Sequence, residues 1–191
     1  MIGVNLKSDF DFDGWRVAAR ALAAEGSEPG DVVWTVGGSD LFAGFAEAPP
    51  ASVASLVMSV PRRFLERAKL AICHSDRERF ALLYRILFRL RRERGLLDNP
   101  ADPDILRLDR MVRSVSRDRH KMTAFVRFRE TVDEAGKPLY VAWFEPEHHI
   151  EELVAPFFVD RYAQNDFVIL TPRRSLVFRD GALSFGAGGD K

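Results

Sequence analysis

The chain has 191 residues, of which 47% are hydrophobic and 29% charged, and its 28 Lys/Arg balance 28 Asp/Glu. That is the profile of a soluble globular domain with a substantial core, and no apolar run reaches the length of a membrane span. The single cysteine, Cys73, excludes an internal disulfide and any cysteine-built zinc or iron–sulfur site within the chain, and it fits a reducing, cytoplasmic setting.

The opening MIGVNLKSDFDFDG has no signal-peptide pattern, and Ile2–Leu6 reads as a short strand. Asp13 offers a cap for a helix with Trp15, Ala18, Ala19 and Leu22 on one face, ended by Gly26. Asp9, Asp11, Asp13 and Gly14 stand at EF-hand positions, but Arg20 occupies the place of the bidentate glutamate. A cation there repels calcium, so the acidic run is read as turn chemistry. Asp31–Val36 is a second strand. A Gly/Pro/Ser/Ala-rich loop anchored by Phe42 and Phe45 leads to a third apolar run, Val53–Val60.

From residue 62 to 129 the chain holds 19 Lys/Arg against 9 Asp/Glu, and the remainder holds the inverse. Pro61 opens a helix with Phe64, Leu65, Ala68, Ala71 and Ile72 at helical spacing. Ser75 and Glu78 form a capping box for the next helix, whose buried stripe is Phe80, Leu83, Tyr84, Leu87 and Leu90. Arg85, Arg89 and Arg92 line another side, and Gly95 closes it. Asp102 as cap and Pro103 at the first helical position start a third helix that buries Ile105, Leu108, Val112 and Val115. Its exposed side carries Arg107, Arg110, Arg113 and Arg117. An arginine-rich tract of this kind suits bidentate contact with a polyanion, unless the acidic flanks fold back and neutralise it.

The stretch HKMTAFVRFRETVDEAGKPLYVAWFEPEHHI, His120–Ile150, reads as an antiparallel hairpin: two alternating runs, Lys121–Glu130 and Leu139–Glu145, around DEAGKP. In the first strand Met122, Ala124, Val126 and Phe128 share one face. Lys121, Thr123, Phe125, Arg127 and Arg129 share the other, a platform for phosphates and unstacked bases or simply a solvated face. Pro146 then opens a helix with Ile150, Leu153, Val154, Phe157 and Phe158 on its apolar face, and Pro156 is expected to kink it or split it into two short helices. Phe167–Thr171, Ser175–Arg179 and Leu183–Phe185 read as strands, and residues 186–191 as a frayed tail or the start of a linker.

EPEHH, Glu145–His149, is the densest cluster of groups able to do acid/base work. On a helix His148 and His149 point about 100° apart, so a metal there needs ligands from elsewhere, such as His120 or His74. A capping role is the competing reading, and neither a metal nor another cofactor is assigned. His120 and Lys121 could touch phosphate, or His120 could cap a helix dipole. Cys73–His74 is read as a helix end carrying a buried cysteine. P-loop, GxGxxG, GxSxG and HExxH motifs are absent.

HKMTAFVRFRE, YVAWFEPEHHI, APFFVDRYA and ILTPRRSLVFRDGALSFG, with FDGWRVAARAL and CHSDRERFALLYRILFRL, resemble a bacterial family labelled "probable DNA metabolism protein". The likeness covers nearly the whole chain. Members stand beside a DNA modification/repair radical SAM protein or form the N-terminal half of fusions to a UdgX-type uracil-DNA glycosylase. The resemblance therefore implies a role in DNA repair or processing. It carries recurring residues onto His120, Lys121, Met122, Phe125, Arg127, Phe128 and Arg129, and onto Trp143, Phe144, Glu145, Glu147, His148 and His149. No uracil-pocket motif follows Phe185, so uracil excision is not expected of this chain.

The expected fold is α+β, an Arg-rich helical layer on a mostly antiparallel sheet with a central β-hairpin, in one domain over residues 1–185. Within it, residues 1–60 form a βαβ-like part, 61–119 a helical part and 120–185 a hairpin–helix–strand part. The leading functional expectation is an accessory module that binds DNA, single-stranded or damaged, and works with a uracil-DNA glycosylase or radical SAM partner. Its nucleic-acid contacts would be Arg85, Arg89, Arg110, Arg113, Arg117, His120, Lys121, Phe125, Arg127 and Arg129. The alternatives are an enzyme using Glu145, Glu147, His148 and His149, and a non-catalytic adaptor between proteins.

Overall fold

The computed structural model describes residues 1–37, 46–47 and 59–190; Phe42, Phe45 and most of the run Val53–Val60 lie outside them. The chain is of the α+β class, as expected, and divides into two compact units, Met1–Ser114 and Val115–Lys191.

In the first unit β1 (Ile2–Leu6), α1 (Phe12–Glu25) and β2 (Val32–Val36) form a βαβ arrangement, with β1 and β2 parallel. A two-residue strand, β3 (Ala46–Glu47), pairs in parallel with the other edge of β1. The cap of α1 is Asp11 rather than Asp13: its carboxylate accepts the N–H of Gly14 at 2.8 Å. Gly26 ends the helix at φ 81°, a left-handed conformation that glycine adopts without cost. Trp15 is fully buried, donates its indole N–H to the Phe80 carbonyl at 3.2 Å, and packs with Trp34 and Phe64.

Two helices complete this core. In α2 (Arg62–Ala71) Phe64, Ala68 and Ala71 are buried as the spacing predicts. α3 (Arg79–Leu90) starts three residues later than the Ser75–Glu78 box implies. The turn before it is made by other groups. His74 Nδ1 accepts the N–H of Asp76 at 3.0 Å, and Asp76 in turn accepts that of Glu78 at 2.9 Å. Leu82, Ile86 and Phe88 are buried along with the expected Phe80, Leu83, Tyr84 and Leu87, so α3 is apolar around most of its circumference.

The largest departure from the sequence reading is α4, which runs Pro103–Phe125 and absorbs the segment expected as the first hairpin strand. Its start is the expected one: the Asp102 carboxylate accepts the N–H groups of Asp104 and Ile105. Ile105, Leu108, Met111, Val115, Asp118 and Met122 are buried, at intervals of three and four, and Val126 continues the series just past the helix. Met122 and Val126 satisfy a period of two and a step of four equally well. Ala124 separates the readings, because a strand would bury it and it is exposed.

In the second unit β4 (Arg129–Val132), β5 (Pro138–Trp143), β6 (Phe167–Leu170), β7 (Arg174–Arg179) and β8 (Ala182–Ala187) form one sheet in that order. It is antiparallel except between β5 and β6, which α5 (Glu151–Arg161) connects. The hairpin β4–β5 is therefore real but shorter than expected, and β4 is an edge strand rather than a central one. Phe158 of α5, Phe167 and Phe178 supply much of this unit's core. Burying each ring contributes on the order of 2 kcal/mol.

α5 begins at Glu151, five residues after Pro146, because EPEHH is held as a turn by contacts described below. Pro156 lies inside α5, where it removes one backbone bond, yet the helix continues to Arg161. Asp180 and Gly181, at φ 48° and 78°, make the tight primed turn of the β7–β8 hairpin. Beyond β8 the chain folds back: Gly189 donates its N–H to the Thr171 carbonyl at 3.0 Å. A Cβ at Gly188 would collide with the Pro172 carbonyl, so only glycine fits there.

Candidate functional site

Arg85, Arg89 and Arg107 of the first unit face carboxylates, whereas Arg92 lies over the Phe88 ring. Arg85 makes a fork to Asp104, with contacts of 2.7–3.1 Å. Arg89 bonds to Glu93, Asp102 and Asp104 at once, at 2.6–3.1 Å. Arg107 reaches Asp76 at 2.6 Å, and Arg63 and Arg67 pair with Asp98 and Asp109. The bond from Arg85 holds the Asp104 carboxyl below its usual range, and the bond from Arg89 does the same for Asp102. Arg79 is buried outright: it donates to the Ile72, Asp76 and Asp9 carbonyls and to the Asp9 carboxylate, with its guanidinium over the Phe80 ring. The acidic run considered for calcium thus serves a helix cap and a buried arginine. Among the described residues no group of three or more His, Cys, Asp or Glu side chains is placed to hold a metal ion.

Other exposed cations lie further along α4. Arg110, Arg113, Arg117 and Lys121 follow at intervals of three and four, so they share one side of the helix. All four are exposed, as are Arg119 and His120. Among the described residues Arg113 and Arg117 make no ion pair, whereas Lys121 meets Glu147 at 3.0 Å. Phe125, one turn beyond Lys121, is 66% exposed. Arg127 and Arg129 follow in the extended segment entering β4, both exposed. The platform of Lys121, Thr123, Phe125, Arg127 and Arg129 on one strand face does not form, because Lys121–Phe125 is helical; Lys121 and Phe125 stay together only because a helix brings residues four apart onto one side.

EPEHH is a turn at the carboxyl end of β5, not a helix. The buried carboxylate of Asp118 accepts the N–H of His148 at 2.9 Å. From the other side the Arg173 guanidinium donates to the carbonyls of Pro146, Glu147 and His148 at 3.1–3.2 Å. Burial pushes the Asp118 carboxyl up and the His148 imidazole down, so both lean towards their neutral forms. Glu151, also buried and pushed up by burial, accepts the Thr171 hydroxyl at 3.0 Å. Glu145 accepts from the Trp143 indole at 2.9 Å, and the bond from Lys121 holds Glu147 below its usual range. These contacts hold the β5–α5 connection. Asp118, Arg173 and Glu151, which do that holding, stand 20 or more residues from their partners in the chain; sequence patterns do not mark them.

Two hollows open in the second unit, and Arg127 borders both. One, of about 500 Å³, is walled by Phe128, Tyr140, Tyr162 and Phe167, with Arg127 and Asn165 as its polar groups. The other, of about 430 Å³, lies over Val141, Trp143 and Leu170, with Arg127, Arg129 and Asp190 around it. Sequence reading singled out Arg127 and Phe128 but not Tyr140, Tyr162 or Asn165, whose place depends on how α5 returns to the sheet.

An α+β protein with an exposed basic helix face and an aromatic hollow beside its sheet is the class these features define. Residues 77–181, more than half of the chain, match the model of DUF4130, a domain of unknown function, and the protein belongs to that family. No match is found among curated proteins or among solved structures.

Proposed function

We propose that this protein is a DNA-binding accessory module of DNA repair, which holds a single strand or damaged DNA for a uracil-DNA glycosylase or radical SAM partner. The observation that carries the DNA contact is the difference between two sets of arginines. Arg85 and Arg89 are spent on carboxylates, while Arg117, Arg127 and Arg129 are exposed and, among the described residues, free of ion pairs. Unneutralised guanidinium groups beside an exposed phenylalanine favour phosphates and bases together. Arg85 and Arg89 accordingly drop out of the contact set. Arg117, His120, Phe125, Arg127 and Arg129 remain, Lys121 being paired with Glu147, and Arg110 and Arg113 extend the same face of α4. The choice of partner rests on the family resemblance.

Fluorescence anisotropy with labelled single- and double-stranded DNA tests the reading. At about 50 mM salt, where phosphate contacts are strong, binding is expected, and it weakens when Arg127→Ala removes one contact. Undetectable binding to both forms under those conditions ends this reading.

A further inference from the structure

The hollow beside β5 has no role in the contacts described so far. Its walls are rings set edge to face: Phe128 lies 5.0 Å from Tyr162 at 70° and 5.5 Å from Phe167 at 62°. At about 500 Å³ it falls within the range of small-molecule pockets, roughly 300–1,000 Å³. Purely apolar walls would accept any greasy group. This pocket adds a polar complement. The Asn165 amide, exposed at its mouth, offers both a donor and an acceptor. Arg127 Nη1 is anchored on the Ala124 and Val126 carbonyls at 2.8 and 3.0 Å, which fixes the guanidinium and leaves its remaining N–H groups for a ligand. None of the residues lining the pocket is acidic, so that charge selects an anion. A flat ring with hydrogen-bonding edges, tethered to an anionic group, matches all three features.

We infer that the pocket takes one unstacked base of single-stranded DNA, resting on the DNA-binding reading above. The base lies among Phe128, Tyr140 and Tyr162, Asn165 meets its polar edge, and Arg127 holds the adjoining phosphate. A base enters such a site most readily from a strand already open, because the stacking that must be broken is then smallest.

The test compares two labelled strands of equal length on the full chain: an oligothymidylate and one built wholly of abasic sites, which keeps the phosphates and lacks the bases. The wild-type protein is expected to bind the first about tenfold more tightly, the scale of one stacked base. Asn165→Leu, at an exposed position, and Tyr162→Ala should each shrink that difference several-fold while leaving affinity for the abasic strand unchanged. The abasic affinity also reports whether each variant keeps its phosphate-binding surface, and Asn165→Leu decides if Tyr162→Ala loses it. Equal wild-type affinity for the two strands overturns the pocket but leaves DNA binding standing. A difference undiminished by both substitutions places the base elsewhere and also overturns it. Failure to bind either strand overturns the pocket and the DNA-binding reading together.

Discussion

Arg89 shows how a residue conspicuous in sequence is consumed by structure. It bridges α3 to Asp102 and Asp104 at the start of α4, and Asp102 is at the same time the cap of that helix. Arg89→Ala leaves partly buried carboxylates with fewer partners and should cost about 2 kcal/mol of stability, read by urea unfolding. Asp118 behaves in the opposite sense to the carboxylates beside Arg89. Burial raises its pKa, so the native state keeps the proton at pH values where the unfolded chain, titrating near its ordinary value of about 3.9, has released it. Its contribution is therefore greatest in acid and falls as pH rises from about 4 through the raised native value. Thermal unfolding of wild type and Asp118→Asn between pH 4 and pH 7 should show the wild type losing ground to the variant as pH rises. Parallel curves would remove this account of Asp118. Asp102 and Asp104 have lowered values, so the stability they supply is present above their ordinary range and is lost as pH falls through their native values.

At the scale of elements, some caps are legible in the sequence, while the Asp13 cap, the Ser75–Glu78 box and overlapping periodicities mislead. Gly26 and the Asp102–Pro103 pair end and start helices where expected, because a cap acts over three or four residues of sequence. The segment Lys121–Glu130 misled because its apolar residues fit a strand and a helix alike, and the deciding fact is that Met122 extends a stripe begun at Ile105. Ala124→Pro probes this directly, since the side chain is exposed and only the backbone is changed. A loss of about 3 kcal/mol is expected for proline within a helix, read from the unfolding midpoint. EPEHH was legible as a polar cluster, whereas its fate depended on Asp118 and Arg173, 30 and 25 residues from His148.

For the whole molecule, the α+β class followed from the order of periodic segments, and the two units divide inside α4 rather than at a change of composition. Charge segregation was visible in the sequence, but its meaning was not. The middle of the chain is basic, yet Arg85, Arg89 and Arg107 meet acids 4 to 31 residues away. Arg117, Arg127 and Arg129 make no ion pair among the described residues, and Arg127 borders the aromatic hollow. That remainder carries the functional account. Among the described residues no helix is long and apolar enough to cross a membrane. The most direct measurement is the slope of log affinity against log salt for single-stranded DNA, in wild type and in Arg117→Ala/Arg127→Ala/Arg129→Ala. At about 0.7 per phosphate contact, three lost contacts should flatten the slope by roughly two units. An unchanged slope, with binding intact, would contradict the assignment of these three arginines to the DNA backbone.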